Sequence, residues 1–91
     1  MMVQYEITIK GRVQGVGYRY FAVQKANEMG ITGWVRNLVD GSVLIVAQGI
    51  EPEMKTFIDY LYLGPTRSRV DKISTCEMQI TSVFDSFSVK Y

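Results

Sequence analysis

A glycine-rich segment that ends in an arginine is the part of this sequence best suited to chemistry. The segment Gly11–Arg19 reads GRVQGVGYR and lies between a stretch with strand periodicity and one with helical periodicity. The first turn of a helix offers unpaired N–H groups and the positive end of the helix dipole, so it attracts anions. Gly15 and Gly17 let successive N–H groups converge, because no Cβ obstructs the turn.

Arg19 would then lie in the first helical turn, where its guanidinium group can close over a phosphate. On these residues alone, a tight turn beside a solvated arginine remains an open alternative, because glycine-rich loops between strands and helices are common. The segment is not a Walker motif, since no Gly-Lys-Ser/Thr follows it. The phosphate loop of tyrosine phosphatases has the pattern Cys-x5-Arg, with a cysteine six residues before the arginine. Here Val13 stands six residues before Arg19, so the segment lacks that cysteine. Without a covalent nucleophile in the loop, water would have to attack directly.

The composition excludes several other kinds of site. The 91 residues include no histidine, which is the commonest general base and the commonest transition-metal ligand. With Cys76 as the single cysteine, neither a zinc site of the usual kinds nor an internal disulfide can form. We therefore expect no metal and no cofactor. A net charge of +1 gives no electrostatic reason to expect nucleic acid or an anionic membrane as a partner.

The sequence contains neither a membrane-spanning segment nor a signal peptide. No apolar run approaches the ~20 residues needed to span a bilayer. The first residues, Met1–Glu6, lack the basic and apolar regions of a signal peptide. We expect a cytoplasmic protein that acts as a monomer and does not bind a membrane.

The periodicity of the remaining sequence predicts the elements that would position the loop. Residues 3–10 alternate apolar and polar side chains, which is typical of a strand with one buried face. Helical spacing begins at Tyr18, whose side chain we place in the buried stripe, and Gly30 stands where a helix terminates. Two strands, 31–39 and 42–49, flank a hairpin turn at Asp40-Gly41.

The second half of the chain predicts one more helix and two more strands. Pro52 stands near the start of the helix, and its apolar residues repeat at i, i+3, i+4 and i+7: Met54, Phe57, Ile58 and Leu61. A weaker strand with a bulge over residues 70–80 and a last strand over 84–91 follow. The order βαββαβ plus a short C-terminal strand predicts one α+β domain over 1–91, a ferredoxin-like split β-α-β sandwich. Its antiparallel sheet would carry both helices on one face.

A second motif follows about one helix after the first. It reads GWVRN over Gly33–Asn37, and Asp40-Gly41-Ser42 comes next. In these motifs, their spacing and the order of elements, essentially the whole chain resembles the acylphosphatase family. The resemblance implies hydrolysis of the carboxyl–phosphate anhydride of small acyl phosphates.

The resemblance also implies roles for individual residues. Arg19 would hold the substrate phosphate and Asn37 would orient the attacking water. Main-chain N–H groups of the loop would complete the phosphate cradle: Gly15, Val16, Gly17, Tyr18 and Arg19. Gly41 and Ser42 match positions that support the asparagine, whereas Leu38 departs from the threonine of some family members.

This reaction suits a protein without histidine. The leaving group is a carboxylate whose acid has a pKa near ~4, so it departs without a proton donor. The protein then has to supply positioning and charge stabilisation. Asn37 can only exchange hydrogen bonds with the water, which leaves the acceptor of the proton open.

Two other functions compete with this interpretation. Gly17–Phe21 faintly resembles the aromatic-rich strand of RNA-binding ferredoxin-like domains, but its place at a helix start is wrong for stacking bases on a sheet. The other alternative is a non-catalytic module that binds phosphoanions or carbamoyl phosphate, similar to the N-terminal part of hydrogenase maturation factors. Because those are parts of far longer chains and this sequence stops at Tyr91, we expect a free-standing enzyme.

Overall fold

The computed structural model describes all of residues 1–91 and folds them into a five-stranded sheet and two helices. Along the chain the elements are β1 (Met2–Arg12), α1 (Tyr18–Met29), β2 (Thr32–Asn37), β3 (Val43–Ile50), α2 (Glu51–Leu63), β4 (Arg69–Met78) and β5 (Phe87–Val89). The strands are arranged β4-β1-β3-β2-β5. Neither helix is long and apolar enough to cross a membrane.

The predicted split β-α-β arrangement is confirmed. Strands β1 to β4 pair antiparallel, as expected, whereas β5 pairs parallel with β2. The sheet is therefore mixed at the edge where its short fifth strand lies. The predicted bulge is also present, since the β1–β4 register shifts between Lys10 and Gly11 and leaves one extra residue on β4.

The core lies between the helices and one face of the sheet. Alternate residues of β1 and β3 point into it, which explains the period of two in β1. Small residues on α1 let that helix approach the sheet closely, and α2 adds larger side chains. Among its best buried members are Ile7, Ile9, Val43, Ile45, Ala47, Ala22, Ala26, Met54, Phe57 and Leu61.

The strand directions bring the ends of three elements together. Both β1 and β2 run antiparallel to β3, so they run in the same direction and end at the same edge of the sheet. That edge carries Arg12 and Asn37, and α1 begins only five residues after β1 ends. The two sequence motifs therefore meet at one edge.

The last strand is shorter than the predicted 84–91. The segment before it is held to the sheet by a side chain instead of by strand pairing. Gln48, which is fully buried, donates from Nε2 to the carbonyl oxygen of Ser82 (2.5 Å) and accepts from the N–H of Phe84 (3.1 Å). Its Nε2 also donates to Oε1 of Gln4 at 2.7 Å. Strand pairing accordingly begins only at Phe87.

Candidate active site

The glycine loop, residues 13–17, is held at both ends by apolar side chains. Val13 and Val16 are buried, while Gly15 and Gly17 are exposed. Gly15 has φ 73° and Gly17 has φ 82°, a left-handed conformation that disfavours any residue with a Cβ. The loop thus has a fixed base and a bare main chain on its outer side.

Six successive main-chain N–H groups of this region have no partner within the protein. The first bond of α1 runs from the N–H of Phe21 to the carbonyl oxygen of Gly17 at 3.0 Å. None of the N–H groups from Gly15 to Tyr20 donates to a main-chain or side-chain acceptor. These donors lie at the positive end of the helix dipole, where an anion would be attracted.

Tyr18 fixes where the helix starts. Its hydroxyl donates a 2.6 Å hydrogen bond to the carbonyl oxygen of Leu61, near the end of α2. Burial raises the pKa of Tyr18, because a phenolate would be desolvated there. The side chain therefore stays protonated and belongs to the core, as predicted, so that only the N–H of Tyr18 faces the loop.

Arg19 leaves its charge free for a ligand. It is half-buried and forms no ion pair, since the ion pairs of the protein join Lys25 to Glu28 and Arg69 to Asp71. Its guanidinium carbon lies 5.5 Å from the ring centroid of Tyr91, a cation–π contact. This contact orients the guanidinium group and leaves it without a neutralising carboxylate.

Asn37 ends β2, where it lies opposite Val43 of β3. Its Oδ1 atom is shielded from solvent and accepts no hydrogen bond. Buried polar atoms are rarely left unpaired, and the Nε atom of the preceding residue, Arg36, is also buried without a partner. The end of β2 therefore carries two shielded polar atoms that the fold does not pair.

Gln14 joins the glycine loop to the turn that follows Asn37. Its Nε2 donates to the carbonyl oxygens of Leu38 and Ser42, both at 2.8 Å. These two bonds hold the loop and the end of β2 together across a separation of more than twenty residues in the chain.

The turn itself is held by Asp40. Its carboxylate accepts from the N–H of Ser42 at 3.0 Å and from the Oγ–H of Ser42 at 2.6 Å. These hydrogen bonds lower the pKa of Asp40, because they favour the charged form. Gly41 lies within the turn with φ 94°. The turn therefore supports the end of β2, as expected for Gly41 and Ser42.

A cavity of about 340 Å³ lies beside the loop. Of the residues predicted to bind the phosphate, Gly15, Gly17, Tyr18 and Arg19 line it. Val16 does not, because its side chain is buried beneath the loop. Asn37 is also outside the lining and is connected to the loop through Gln14. The other wall of the cavity is mainly apolar, formed by Tyr20, Val23, Val89 and Tyr91.

Sequence reasoning missed two residues of this region. Gln14 lies within the first motif, but its partners are 24 and 28 residues away, so no local pattern reveals its role. Tyr91 reaches Arg19 only because β5 lies beside β2. One feature of the sequence could have indicated Gln14. It is the one polar side chain in the segment Val13-Gln14-Gly15-Val16, whose two valines are buried.

Comparison with known proteins gives consistent matches. Residues 5–89 match the acylphosphatase family. The acylphosphatase of Oceanobacillus iheyensis is 44% identical over 91 residues, covering 99% of this chain and 100% of that protein. The crystal structure of acylphosphatase from Bacillus subtilis superposes with a TM-score of 0.95 at 40% identity and covers 100% of both chains. Full-length HypF in a phosphate- and nucleotide-bound form contains a similar region, with a TM-score of 0.88 at 26% identity, but this chain covers only 12% of it.

Proposed function

This chain belongs to the acylphosphatase family and has its hydrolase activity, and we propose that water attacks a phosphoryl group held by the glycine loop and Arg19. The substrate is a small acyl phosphate, and the products are the carboxylate and inorganic phosphate. Water forms the new P–O bond as the bond between phosphorus and the carboxylate oxygen breaks.

The N–H groups from Gly15 to Arg19 bind the phosphoryl oxygens in this mechanism. Their lack of protein partners supports the assignment, since donors fixed in place cost no reorganisation when charge develops on the equatorial oxygens. Arg19 adds the positive charge and a forked donor. Its freedom from any carboxylate supports this role.

Asn37 orients the attacking water, and its unpaired Oδ1 atom is the observation that carries the proposal. A buried acceptor without a hydrogen bond lowers the stability of the fold by about 1–3 kcal/mol. An unpaired acceptor at this position therefore favours a bound partner that has a function. A carboxamide does not take up a proton at ordinary pH. Asn37 therefore aligns the water by accepting one of its hydrogen bonds, while the water's proton passes to an oxygen of the substrate's own phosphoryl group.

The leaving group needs no acid. A carboxylate departs unprotonated, because the pKa of its acid is near ~4. Tyr18 does not supply a proton in any case, since its hydroxyl is engaged with the carbonyl oxygen of Leu61. The proposed site works with no cofactor, no metal and no general acid.

A single domain acting as a monomer in the cytoplasm completes the proposal. The loop, Arg19 and Asn37 all come from one chain and meet at one edge of its sheet. The arrangement needs no residue from a second copy.

A non-catalytic phosphoanion-binding module is the second candidate. The likeness to HypF, whose structure was determined with phosphate bound, favours it. Both candidates require the cradle, and only the enzyme requires Asn37. An activity measurement therefore separates them.

The test is hydrolysis of benzoyl phosphate without added metal, in the parent and in Arg19→Ala and Asn37→Ala. We expect each variant to lose about 10²–10³-fold in kcat, the usual cost of removing one group that stabilises a transition state. Binding of inorganic phosphate should weaken mainly in Arg19→Ala. Arg67→Ala, in the loop after α2, and Asn27→Ala, near the far end of α1, serve as matched controls at exposed positions.

Three outcomes are informative. Loss in both site variants with unchanged controls supports the mechanism. Parent-like turnover in either site variant removes that residue from it. A parent that binds phosphate but hydrolyses nothing is the result expected of the binding module.

A further inference from the structure

We propose that the cavity beside Arg19 is an acyl-binding subsite that selects acyl phosphates with an apolar, uncharged acyl group. This inference rests on the proposed function, because it uses the same loop and the same arginine. It adds the substrate class, which the phosphate cradle by itself does not distinguish.

The direction of attack places the acyl group in this cavity. Phosphoryl transfer sets the attacking and leaving oxygens roughly in line, on opposite sides of phosphorus. If Asn37 holds the water, the acyl group points away from Asn37. The cavity is the recess that borders the loop and Arg19 and that Asn37 does not line.

The wall of the cavity is apolar and firmly held at its inner end. Val23 of α1 and Val89 of β5 line it, and both pack against the hydrophobic core. Their side chains are therefore held in place before any ligand arrives, which favours a preformed pocket.

Two exposed aromatic rings stand at the mouth of the cavity. Tyr20 is 75% exposed and Tyr91 is 95% exposed, although both line the cavity. Large exposed apolar groups next to a binding site gain free energy when a ligand covers them. An apolar acyl group seated on Val23 and Val89 would cover these rings.

The charge of the lining excludes acyl groups that carry a charge of their own. Arg19 is the one ionised side chain among the lining residues, and the phosphate occupies it. A second carboxylate on the acyl group would enter an apolar wall without a partner. The polarity of the wall thus favours alkyl and aryl groups.

The volume is sufficient for such a group. About 340 Å³ falls within the range of roughly 300–1,000 Å³ that is typical of small-molecule pockets. A phosphate held at the rim fills a small part of that space, so the remainder is available to the acyl chain.

The experiment compares kcat/KM for acetyl, butyryl and hexanoyl phosphate, whose leaving groups are straight-chain carboxylates of similar basicity that differ in apolar length. We expect kcat/KM to rise about tenfold or more from acetyl to hexanoyl, because each methylene in an apolar pocket raises specificity. We also expect 4-carboxybenzoyl phosphate to be hydrolysed about tenfold less efficiently than benzoyl phosphate.

Two variants locate the effect. In Val23→Thr and in Tyr20→Ser, the rise of kcat/KM with chain length should become at least about threefold shallower. Val83→Thr and Tyr62→Ser make the same changes at exposed positions away from the cavity and should keep the slope of the parent. Because Tyr20 is largely exposed, its substitution should leave the fold intact, which circular dichroism checks.

The outcomes separate this inference from the proposed function. A parent that hydrolyses all three alkyl substrates equally well overturns the subsite and leaves the mechanism standing. A parent that hydrolyses none of the acyl phosphates overturns the proposed function. A steep dependence that neither cavity variant changes overturns the assignment to this cavity.

Discussion

Asn37 and Gln48 carry the same carboxamide group on neighbouring strands, yet the fold surrounds the two groups differently. The side chain of Gln48 makes hydrogen bonds to Gln4, Ser82 and Phe84. The Oδ1 atom of Asn37 makes none, although it is shielded from solvent. A buried amide with all its partners stabilises the fold, whereas an unpaired one costs stability. The contrast supports a structural role for Gln48 and agrees with our proposal that Asn37 serves a ligand.

The starts of the two helices repeat this contrast. Helix α2 has Glu51 and Glu53 in its first turn, so its own carboxylates complement the dipole. Helix α1 has no acidic residue in its first turn and is preceded by a glycine loop with free N–H groups. The first turn of α1 therefore has no carboxylate of its own to complement the helix dipole, which agrees with our proposal that a phosphoanion binds there.

Asn37→Ala tests the functional side of the comparison and should have the largest effect. We expect kcat for benzoyl phosphate to fall about 10²–10³-fold, because the water loses its alignment. The free energy of unfolding, measured in urea, should not fall and should rise by up to about 1–3 kcal/mol, since the variant no longer buries an unpaired acceptor. A loss of stability as large as that of a core variant would break the comparison.

Gln48→Ala should show the reverse behaviour. Removing this side chain leaves the carbonyl oxygen of Ser82 and the N–H of Phe84 without their partner. We expect the free energy of unfolding to fall by about 2 kcal/mol or more. The kcat of the folded variant should stay within about twofold of the parent. A stable Gln48→Ala protein would show that the polar cluster contributes nothing to the fold.

Gly17→Ala should combine a small loss of stability with a larger loss of activity. The cost in stability is about 1 kcal/mol, because alanine disfavours φ 82° even though no atom obstructs its Cβ. Gly30→Ala is the matched control, since Gly30 has φ 68°, equally open surroundings and a place at the far end of α1. Both variants should lose similar stability, and only Gly17→Ala should lower kcat/KM. Equal activities would argue against the loop as a phosphate cradle.

Asp40→Asn should have the smallest effect of the four variants, a pH-dependent change in the free energy of unfolding. The bonds from Ser42 lower the pKa of folded Asp40 below 3.8. The carboxylate therefore adds stability above the pKa of the unfolded state, and this contribution is lost as pH falls through the lower folded value. In urea unfolding, the difference between parent and variant should be constant above about pH 5 and shrink below it. A difference that grows towards acid pH would contradict the assignment.

Local sequence patterns predicted most of the fold. The period of two in β1, the helical spacing of α1 and α2, and the glycine at position 30 each reflect contacts made within the same element. The extent of β5 could not be predicted, because it depends on hydrogen bonds between Gln48 and two distant residues. Ser82 and Phe84 lie 34 and 36 positions after Gln48 in the chain. No local pattern encodes such a contact.

Part of the candidate site could likewise be predicted from local sequence patterns, whereas the rest depends on contacts between distant residues. Arg19 and the glycines form one continuous motif, so their common location could be predicted from the residues themselves. The pairing of Asn37 with that loop came from the family resemblance, and in the fold it depends on Gln14. The apolar wall of Val23 and Val89 could not be predicted, because α1 and β5 meet only in the folded chain.

The central claim is that the free N–H groups from Gly15 to Arg19 bind a phosphoanion. A titration of the ¹⁵N-labelled protein with inorganic phosphate, followed by ¹H–¹⁵N NMR, tests it most directly. We expect the largest and saturable shifts at the amides of Gly15 to Arg19, with the start of α2 unchanged and with weaker binding in Arg19→Ala. Shifts that saturate elsewhere, or no saturable shift in this loop, would contradict the account.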